Sequence, residues 1–293
     1  AQALLEAQAQ ASMLVSSYDD ITLGPSLGLG STAAVFRGTI KGHPIAVKEL
    51  RNPSQGQRRA FRREVTILSA MQHDHVVQGL GFRESPGLLT IFMEVCEGGC
   101  VFDLLHTANV DVLLFQRCKM LADLANAMEY LHGLQPRIVH RDLKSLNLLL
   151  VSPLRTKLDM PDVKLCDFGS SRVMRRGVTM TKNVGTCHWM APEVPKGGYD
   201  EKVDVYSFAI VAFELLSLEL PFADLTSKEV FLAVSEGTRP DLRALDAAVP
   251  HELVSLMIQC WAALPAERPS FKKICGVLCD KGSAEMPPER LAL

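Results

Sequence analysis

The sequence of 293 residues lacks several features that would assign it to a specialised class of protein. No apolar run approaches the length of a transmembrane helix, and the first residues show no basic-then-apolar signal pattern. None of the eight cysteines forms a Cys-x-x-Cys pair, which favours reduced thiols over zinc sites or disulfides. The net charge of −2 argues against a general binder of nucleic acid or membrane surfaces. These absences predict a cytoplasmic protein that is not inserted into a membrane.

The composition is that of a globular protein able to bury a core, since 47% of the residues are apolar and 22% are charged. The length suits one two-lobed unit or two small domains. We expect residues 1–18, rich in Ala, Gln and Leu, to form a lead-in segment before a domain that covers residues 19–280. Residues 281–293 are polar and proline-rich, which predicts a C-terminal tail.

The most informative stretch runs from Ile138 to Leu150 and reads IVHRDLKSLNLLL. It places the carboxylate of Asp142, the ammonium group of Lys144 and the carboxamide of Asn147 between two apolar runs. A purely structural role does not require these groups so close together, whereas phosphoryl transfer does. An aspartate can orient a hydroxyl and accept its proton, a lysine can offset phosphate charge, and an amide oxygen can hold a metal ion.

The first part of the chain contains short apolar alternations broken by glycine, from Ile21 to Leu50, which predict three antiparallel strands. The glycines of Gly28-x-Gly30 would let backbone amides approach phosphate oxygens, although the same pair by itself also fits an ordinary hairpin turn. A lysine on the third strand, Lys48, favours the phosphate interpretation.

Residues 54 to 71 predict an amphipathic helix with Phe61, Val65 and Leu68 on its apolar face. Glu64 lies near that face among four arginines, as either a solvated salt-bridged residue or a partner for a buried lysine. Two further strands are expected between residues 80 and 95. Another strand is expected at residues 163–166, and Asp167 directly follows it.

A long helix is predicted over residues 113–132. The last third of the chain is also predicted to be helical. Residues 202–218, KVDVYSFAIVAFELLSL, are apolar almost all round, so this helix should be buried. We expect Asp204 to be its lone buried charge, and such a charge needs partners.

Together these motifs resemble the catalytic domain of the eukaryotic protein kinases from Asp19 to about Asp280. The resemblance implies an α+β, bilobal protein kinase fold with a small antiparallel-sheet lobe that carries one main helix and a larger, mostly helical lobe. The small lobe would cover about 19–95, the hinge about 94–99 and the large lobe about 100–280. It also implies that Asp204 binds the backbone of the catalytic loop and that Arg268 pairs with Glu193.

The segment that ends in Gly185-Thr186-x-x-Trp-Met-Ala-Pro-Glu193 resembles the tyrosine-kinase-like branch, the Raf-like and mixed-lineage kinases. That branch mostly phosphorylates serine and threonine, and Lys144 and Thr186 favour the same specificity. The resemblance therefore implies a signalling enzyme that uses ATP and Mg²⁺, with Mn²⁺ as an alternative ion, on protein substrates.

The resemblance also implies four groups of site residues. The catalytic group is Asp142, Lys144, Lys48 and Glu64. The nucleotide-binding group is Leu27, Gly28, Gly30, Val35, Ala46, Lys48, Met93, Glu94, Cys96, Leu149 and Cys166. The metal-binding pair is Asn147 and Asp167. The regulatory group is Thr181, Thr179, Arg141 and Thr186.

Two alternatives use the same fold differently. A pseudokinase would serve as a nucleotide-binding scaffold or interaction module, and its usual marker is the loss of Lys48, Asp142, Asn147 or Asp167. All four residues are present. A small-molecule kinase fits poorly with a complete peptide-docking segment before Glu193.

Overall fold

A computed structural model of the protein describes residues 21–29, 33–108, 110–173 and 187–282. The chain divides into two compact units. The first comprises Ala1–Glu97 and Cys166–Ser170, and the second comprises Gly98–Leu165 and Ser171–Leu293. The predicted lead-in segment and residues 283–293 of the predicted tail lie outside the described residues.

The first unit contains a five-stranded antiparallel sheet with the strand order β1-β2-β3-β5-β4. The strands are β1 Ile21–Leu29, β2 Ala34–Ile40, β3 His43–Arg51, β4 Gly79–Ser85 and β5 Leu88–Met93. Ile45 and Val47 of β3 pack against Phe92 of β5 in a buried cluster. The prediction of three strands from Ile21 to Leu50 and two further strands between residues 80 and 95 is thus confirmed.

The helix of the first unit, α1, spans Gln55–Ser69 and begins with a capping box. The hydroxyl of Ser54 accepts a hydrogen bond from the amide of Gln57 at 3.3 Å, and the amide of Ser54 donates to the Gln57 side chain at 2.7 Å. The predicted apolar face is buried through Phe61, Val65 and Leu68. The helix prediction is confirmed, with ends that differ by one or two residues.

The second unit is mostly helical, which together with the sheet of the first unit confirms the predicted α+β fold. Its helices are α2 Val101–His106, α3 Leu114–Gly133, α4 Lys202–Ser217, α5 Ser227–Ser235, α6 His251–Cys260 and α7 Phe271–Gly282. Two small antiparallel pairs accompany them, β6 Ile138–Val139 with β9 Arg172–Val173 and β7 Leu148–Leu150 with β8 Val163–Leu165. Among the described residues, no helix combines the length and the apolar character that a membrane crossing requires.

Helix α4 lies in the core of the second unit, and every residue from Val203 to Leu216 is buried. This confirms the prediction from its all-round apolar sequence. The expectation that Asp204 is its lone buried charge is wrong, because Glu214 is also fully buried. Each of the two carboxylates accepts three hydrogen bonds, which offsets the cost of removing it from water.

Candidate active site

In the first unit, three predicted site residues from distant parts of the sequence meet at the side chain of Lys48. The Nζ atom of Lys48 lies 2.6 Å from Glu64 Oε1 and 3.1 Å from Asp167 Oδ1. Lys48 comes from the central strand β3, Glu64 from the buried face of α1, and Asp167 from the turn that follows β8. The arrangement holds one ammonium group between two carboxylates.

Electrostatics keep this lysine charged. Burial alone would lower the pKa of Lys48, but the carboxylates of Glu64 and Asp167 outweigh that effect and raise the pKa above its ordinary value. The Asp167 side chain is 44% exposed, so its carboxylate is accessible to a ligand. Its φ of 63° lies in the left-handed region, which is uncommon for a residue other than glycine.

Gly169 allows the turn after Asp167 to pack closely against the two acidic side chains. A Cβ atom at this position would lie 3.3 Å from Asp167 Oδ1 and 3.4 Å from Glu64 Oε2. A side chain here would therefore press on both carboxylates that hold Lys48.

Most of the residues that the sequence assigns to nucleotide binding in the first unit lie on neighbouring strands. Gly28 pairs with Val35, Val35 pairs with Lys48, and Ala46 pairs with Met93. Leu27 lies on exposed strand β1, Cys96 is half-buried after β5, and Cys166 directly precedes Asp167. Gly30 lies outside the described residues.

Glu94 follows β5, and its backbone amide donates a hydrogen bond to Gln78 O at 3.0 Å. The Glu94 carboxylate in turn accepts from the Gln78 amide at 2.7 Å. This amide is therefore engaged within the protein.

In the second unit, Asp142, Lys144 and Asn147 form a compact group. Lys144 Nζ donates to Asp142 Oδ2 at 2.8 Å, and Asn147 Nδ2 donates to the Asp142 carbonyl at 2.8 Å. A short 3₁₀ turn over Ser145–Asn147 folds the chain back, so that these side chains can meet. Leu149 lies just beyond, on β7, where it pairs with Cys100.

The start of this loop is attached to α4 through Asp204. Its carboxylate accepts hydrogen bonds from the backbone amides of His140 and Arg141, both at 2.8 Å. The predicted contact of Asp204 with the loop backbone is thus confirmed. His132 Nε2 lies 2.9 Å from the same carboxylate, a partner that the sequence interpretation missed. Arg141 has a φ of 73°, so these contacts hold the backbone in an unfavourable conformation.

The segment that ends at Glu193 is held by an ion pair between Glu193 and the buried side chain of Arg268. Arg268 has a fully buried side chain and donates from Nη2 to Glu193 Oε2 at 3.0 Å. Its other donors bind the carbonyls of Ala262 and Lys202 at 2.9 and 3.0 Å. The predicted pair of Arg268 and Glu193 is confirmed. Thr179, Thr181 and Thr186, which precede it, lie outside the described residues.

The thiols of Cys100 and Cys166 are expected to react slowly with alkylating reagents at neutral pH. Burial raises the pKa of Cys100 from its ordinary value of 9.0 to about 11, and burial together with the charge of Asp167 raises the pKa of Cys166. The thiolate fraction of Cys100 should then be about a hundredfold lower than for an ordinary thiol. Its alkylation by iodoacetamide, followed by mass spectrometry, should accelerate about tenfold per pH unit from pH 7 to 10.

The same protein unfolded in urea provides the control for this measurement, since both thiols should then react at the ordinary rate. Rapid labelling of Cys100 in the folded protein at pH 7 would contradict the raised pKa.

Comparison with known proteins gives a match to a family model described as protein tyrosine and serine/threonine kinase, over residues 21–278. A probable serine/threonine-protein kinase of Dictyostelium discoideum is 34% identical over 267 residues, which cover 89% of this chain and 28% of that protein. A putative serine/threonine-protein kinase/receptor of Acanthamoeba polyphaga mimivirus is 35% identical over 263 residues, which cover 89% of this chain and 16% of that protein. A dual specificity protein kinase of Dictyostelium discoideum is 34% identical over 259 residues, which cover 88% of this chain and 18% of that protein. The chain thus spans between 16% and 28% of the length of these three relatives.

Proposed function

The chain belongs to the protein tyrosine and serine/threonine kinase family, and from this premise we propose that it transfers the γ-phosphoryl group of ATP to serine or threonine hydroxyls of protein substrates. The observation that carries the proposal is the position of Lys48 Nζ, which contacts both Glu64 and Asp167. A lysine held in this way presents a fixed positive charge to phosphate oxygens. The complete group of Asp142, Lys144 and Asn147 supports the same reaction.

The side chains of the second unit would act on the acceptor hydroxyl. Asp142 orients the hydroxyl and takes its proton, while Lys144, 2.8 Å from the same carboxylate, fixes its orientation and offsets phosphate charge. Catalysis then rests on positioning and electrostatic stabilisation, because the transition state is loose and highly charged.

Asp167 and Asn147 would hold Mg²⁺, because a hard cation prefers carboxylate and amide oxygens. The Nδ2 of Asn147 is bound to Asp142, which leaves Oδ1 as the atom that can meet a cation. The bound ion would offset the charge of the phosphate groups. Mn²⁺ has the same preference for oxygen ligands and is an alternative ion.

We assign the chain to the tyrosine-kinase-like branch, with serine and threonine as the acceptors. Lys144 and the segment from Thr186 to Glu193 support this assignment. The relatives include proteins named serine/threonine kinases and one named a dual specificity kinase. Tyrosine should therefore be tested as an acceptor alongside serine and threonine. We propose residues 19–280 as the kinase domain and the cytoplasm, where ATP and protein substrates are available, as its location.

The proposed activity is tested by incubating the protein with labelled ATP, Mg²⁺ and a generic protein substrate, beside Asp142→Asn. We expect transfer to serine and threonine, and a loss of about 10²- to 10⁴-fold in the variant, because its amide cannot accept the proton. Nucleotide binding without transfer by the wild type would contradict the proposal and favour a scaffold. Transfer to small hydroxyl compounds but not to proteins would favour a small-molecule kinase.

We further propose that phosphorylation of Thr181, with Thr179 as the second site, activates the enzyme through Arg141. Arg141 is 7% exposed, and its guanidinium lies 5.6 Å from the centre of the Tyr199 ring. Its Nε is buried and has no hydrogen-bond partner among the described residues. A phosphate group adds nearly two negative charges and three acceptor oxygens, which such a donor can bind.

Phosphatase treatment of the parent protein and the Thr179→Ala, Thr181→Ala double variant should each lower the transfer rate by about 5- to 150-fold, the usual range for a coupled site. The single variants show which threonine contributes more, and Thr156→Ala, in a loop of the second unit, is the control. Full activity in both the double variant and the treated parent would rule out this regulation.

A further inference from the structure

Glu214 is a buried carboxylate for which the mechanism above has no role. It is fully buried in the middle of the second unit, near the end of α4. Three donors from three separate segments converge on it: Ser145 Oγ at 2.6 Å, His106 Nε2 at 2.9 Å and Trp189 Nε1 at 2.9 Å. A buried charge with this many long-range partners connects the segments that supply them.

One of these partners belongs to the catalytic loop. Ser145 directly follows Lys144 and begins the 3₁₀ turn that brings Asn147 back to Asp142. Asp204 already binds the start of the loop through the amides of His140 and Arg141. Asp204 and Glu214 are ten residues apart on α4, which corresponds to about 15 Å along the helix. The two carboxylates of α4 therefore hold opposite ends of the same loop.

Another partner belongs to the segment that ends at Glu193. The Trp189 indole can only donate, and it donates to Glu214 Oε2. The Trp189 carbonyl accepts from Ser207 Oγ at 2.8 Å, so α4 holds this residue by its side chain and by its backbone. His106 connects the C-terminal end of α2 to the same carboxylate.

We propose that Glu214 is a positioning residue that fixes the catalytic loop relative to the segment containing Trp189, and that its three hydrogen bonds set the rate of phosphoryl transfer. The proposal rests on the kinase function proposed above and goes beyond it, because Glu214 touches neither the nucleotide nor the acceptor in that mechanism. Its effect passes through Ser145 to the adjacent Lys144 and so to Asp142.

The chemistry of the three donors predicts how substitutions at this position differ. In Glu214→Gln the single amide oxygen must face Trp189, and the NH₂ group then faces Ser145 and His106. A serine hydroxyl can turn to accept, and a neutral histidine can accept in its other tautomer, so the three contacts can be rebuilt. Glu214→Leu is similar in size but accepts nothing, and it leaves three buried donors without a partner.

We therefore expect Glu214→Gln to retain kcat within about tenfold and Glu214→Leu to lose about 10²-fold or more, as misplaced catalytic groups do. The KM for ATP should stay within about twofold in both variants, because the lost interaction positions the catalytic groups and does not bind ATP. Equal activity of the two variants and the wild type would overturn the proposal.

A double-mutant cycle keeps the test independent of whether Glu214→Leu folds. Ser145→Ala and Trp189→Phe each remove one donor, and we expect their effects on kcat to be non-additive because both act through Glu214. Ser217→Ala, which removes a hydroxyl bound to Phe213 O on the same helix, is the matched control and should combine additively with Ser145→Ala. Additive effects of Ser145→Ala and Trp189→Phe would overturn the proposal.

Amide hydrogen exchange separates this inference from the proposed activity. The Asn147 amide donates to Lys144 O at 2.9 Å, and Trp189→Phe should accelerate its exchange, whereas Ser217→Ala should not. Unchanged exchange in Trp189→Phe, with active wild-type protein, would overturn the positioning role and leave the kinase function standing. Accelerated exchange in Trp189→Phe, together with a wild-type protein that transfers no phosphate, would overturn the kinase function and the catalytic part of this proposal.

Discussion

Lys48→Met is expected to lower phosphoryl transfer by about 10²- to 10³-fold or more, as the loss of one charge-stabilising donor does in other active sites. The variant removes the ammonium group that Glu64 and Asp167 hold at 2.6 and 3.1 Å. The strand that carries Lys48 should remain folded, because its neighbours Ala46, Val47 and Leu50 are buried in the sheet. Transfer is measured with labelled ATP, and folding is followed by urea denaturation.

Lys41→Met, in the exposed turn between β2 and β3, is the matched control and should retain full activity. Lys48→Arg keeps the charge but changes its shape, and should also lose activity because a planar guanidinium cannot occupy the same position between two carboxylates. Near-wild-type transfer by folded Lys48→Met would show that Lys48 does not serve the phosphate groups. Glu64→Gln should give a smaller loss, since Asp167 still contacts the lysine.

Asp204→Asn is expected to lower the transfer rate by about 10²-fold, the cost of a displacement of about 1 Å in a catalytic group. The carboxylate accepts from the amides of His140 and Arg141 and from His132, and an asparagine must turn its NH₂ group toward at least one of these donors. An unpaired buried donor also costs about 1–3 kcal/mol of stability. Initial rates and urea unfolding measure the two effects separately.

Asp200→Asn provides the comparison, because Asp200 Oδ1 accepts from the Lys202 amide at 2.9 Å in a less buried position. This variant should retain its activity, since its carboxylate does not contact the catalytic loop. If Asp204→Asn lost stability but kept its transfer rate, the catalytic loop would hold its conformation without α4.

Much of the fold could be predicted from the sequence because it depends on local patterns. Short apolar alternations broken by glycine predict β1 to β3, the apolar stretch between residues 80 and 95 predicts β4 and β5, and the amphipathic pattern from Ser54 predicts α1. The contact of Asp204 with the loop backbone and the pair of Arg268 and Glu193 came from the family resemblance, and the structure contains both. Strand and helix periodicity alone would have located neither.

Glu214 shows what sequence patterns do not contain. It lies in an apolar helix, and the sequence interpretation treated Asp204 as the only buried charge there. Its donors come from residues that are 69 and 25 positions away along the chain, Ser145 and Trp189, and no periodicity connects them. The contact of His132 with Asp204 was not predicted for the same reason, since the two residues are 72 positions apart. Strand and helix periodicity carries no information about such long-range pairing of buried polar groups.

The spacing of the two carboxylates on α4 fixes the distance between the two points at which this helix holds the catalytic loop. Deleting or inserting one residue between Asp204 and Glu214 would rotate the second carboxylate by about 100° around the helix axis and move it by about 1.5 Å. Inserting two turns would restore the direction but shift the carboxylate by about 10 Å, beyond the reach of Ser145. Apolar residues between the two positions can be exchanged for others of similar volume, but the length of this interval cannot change without releasing one end of the loop.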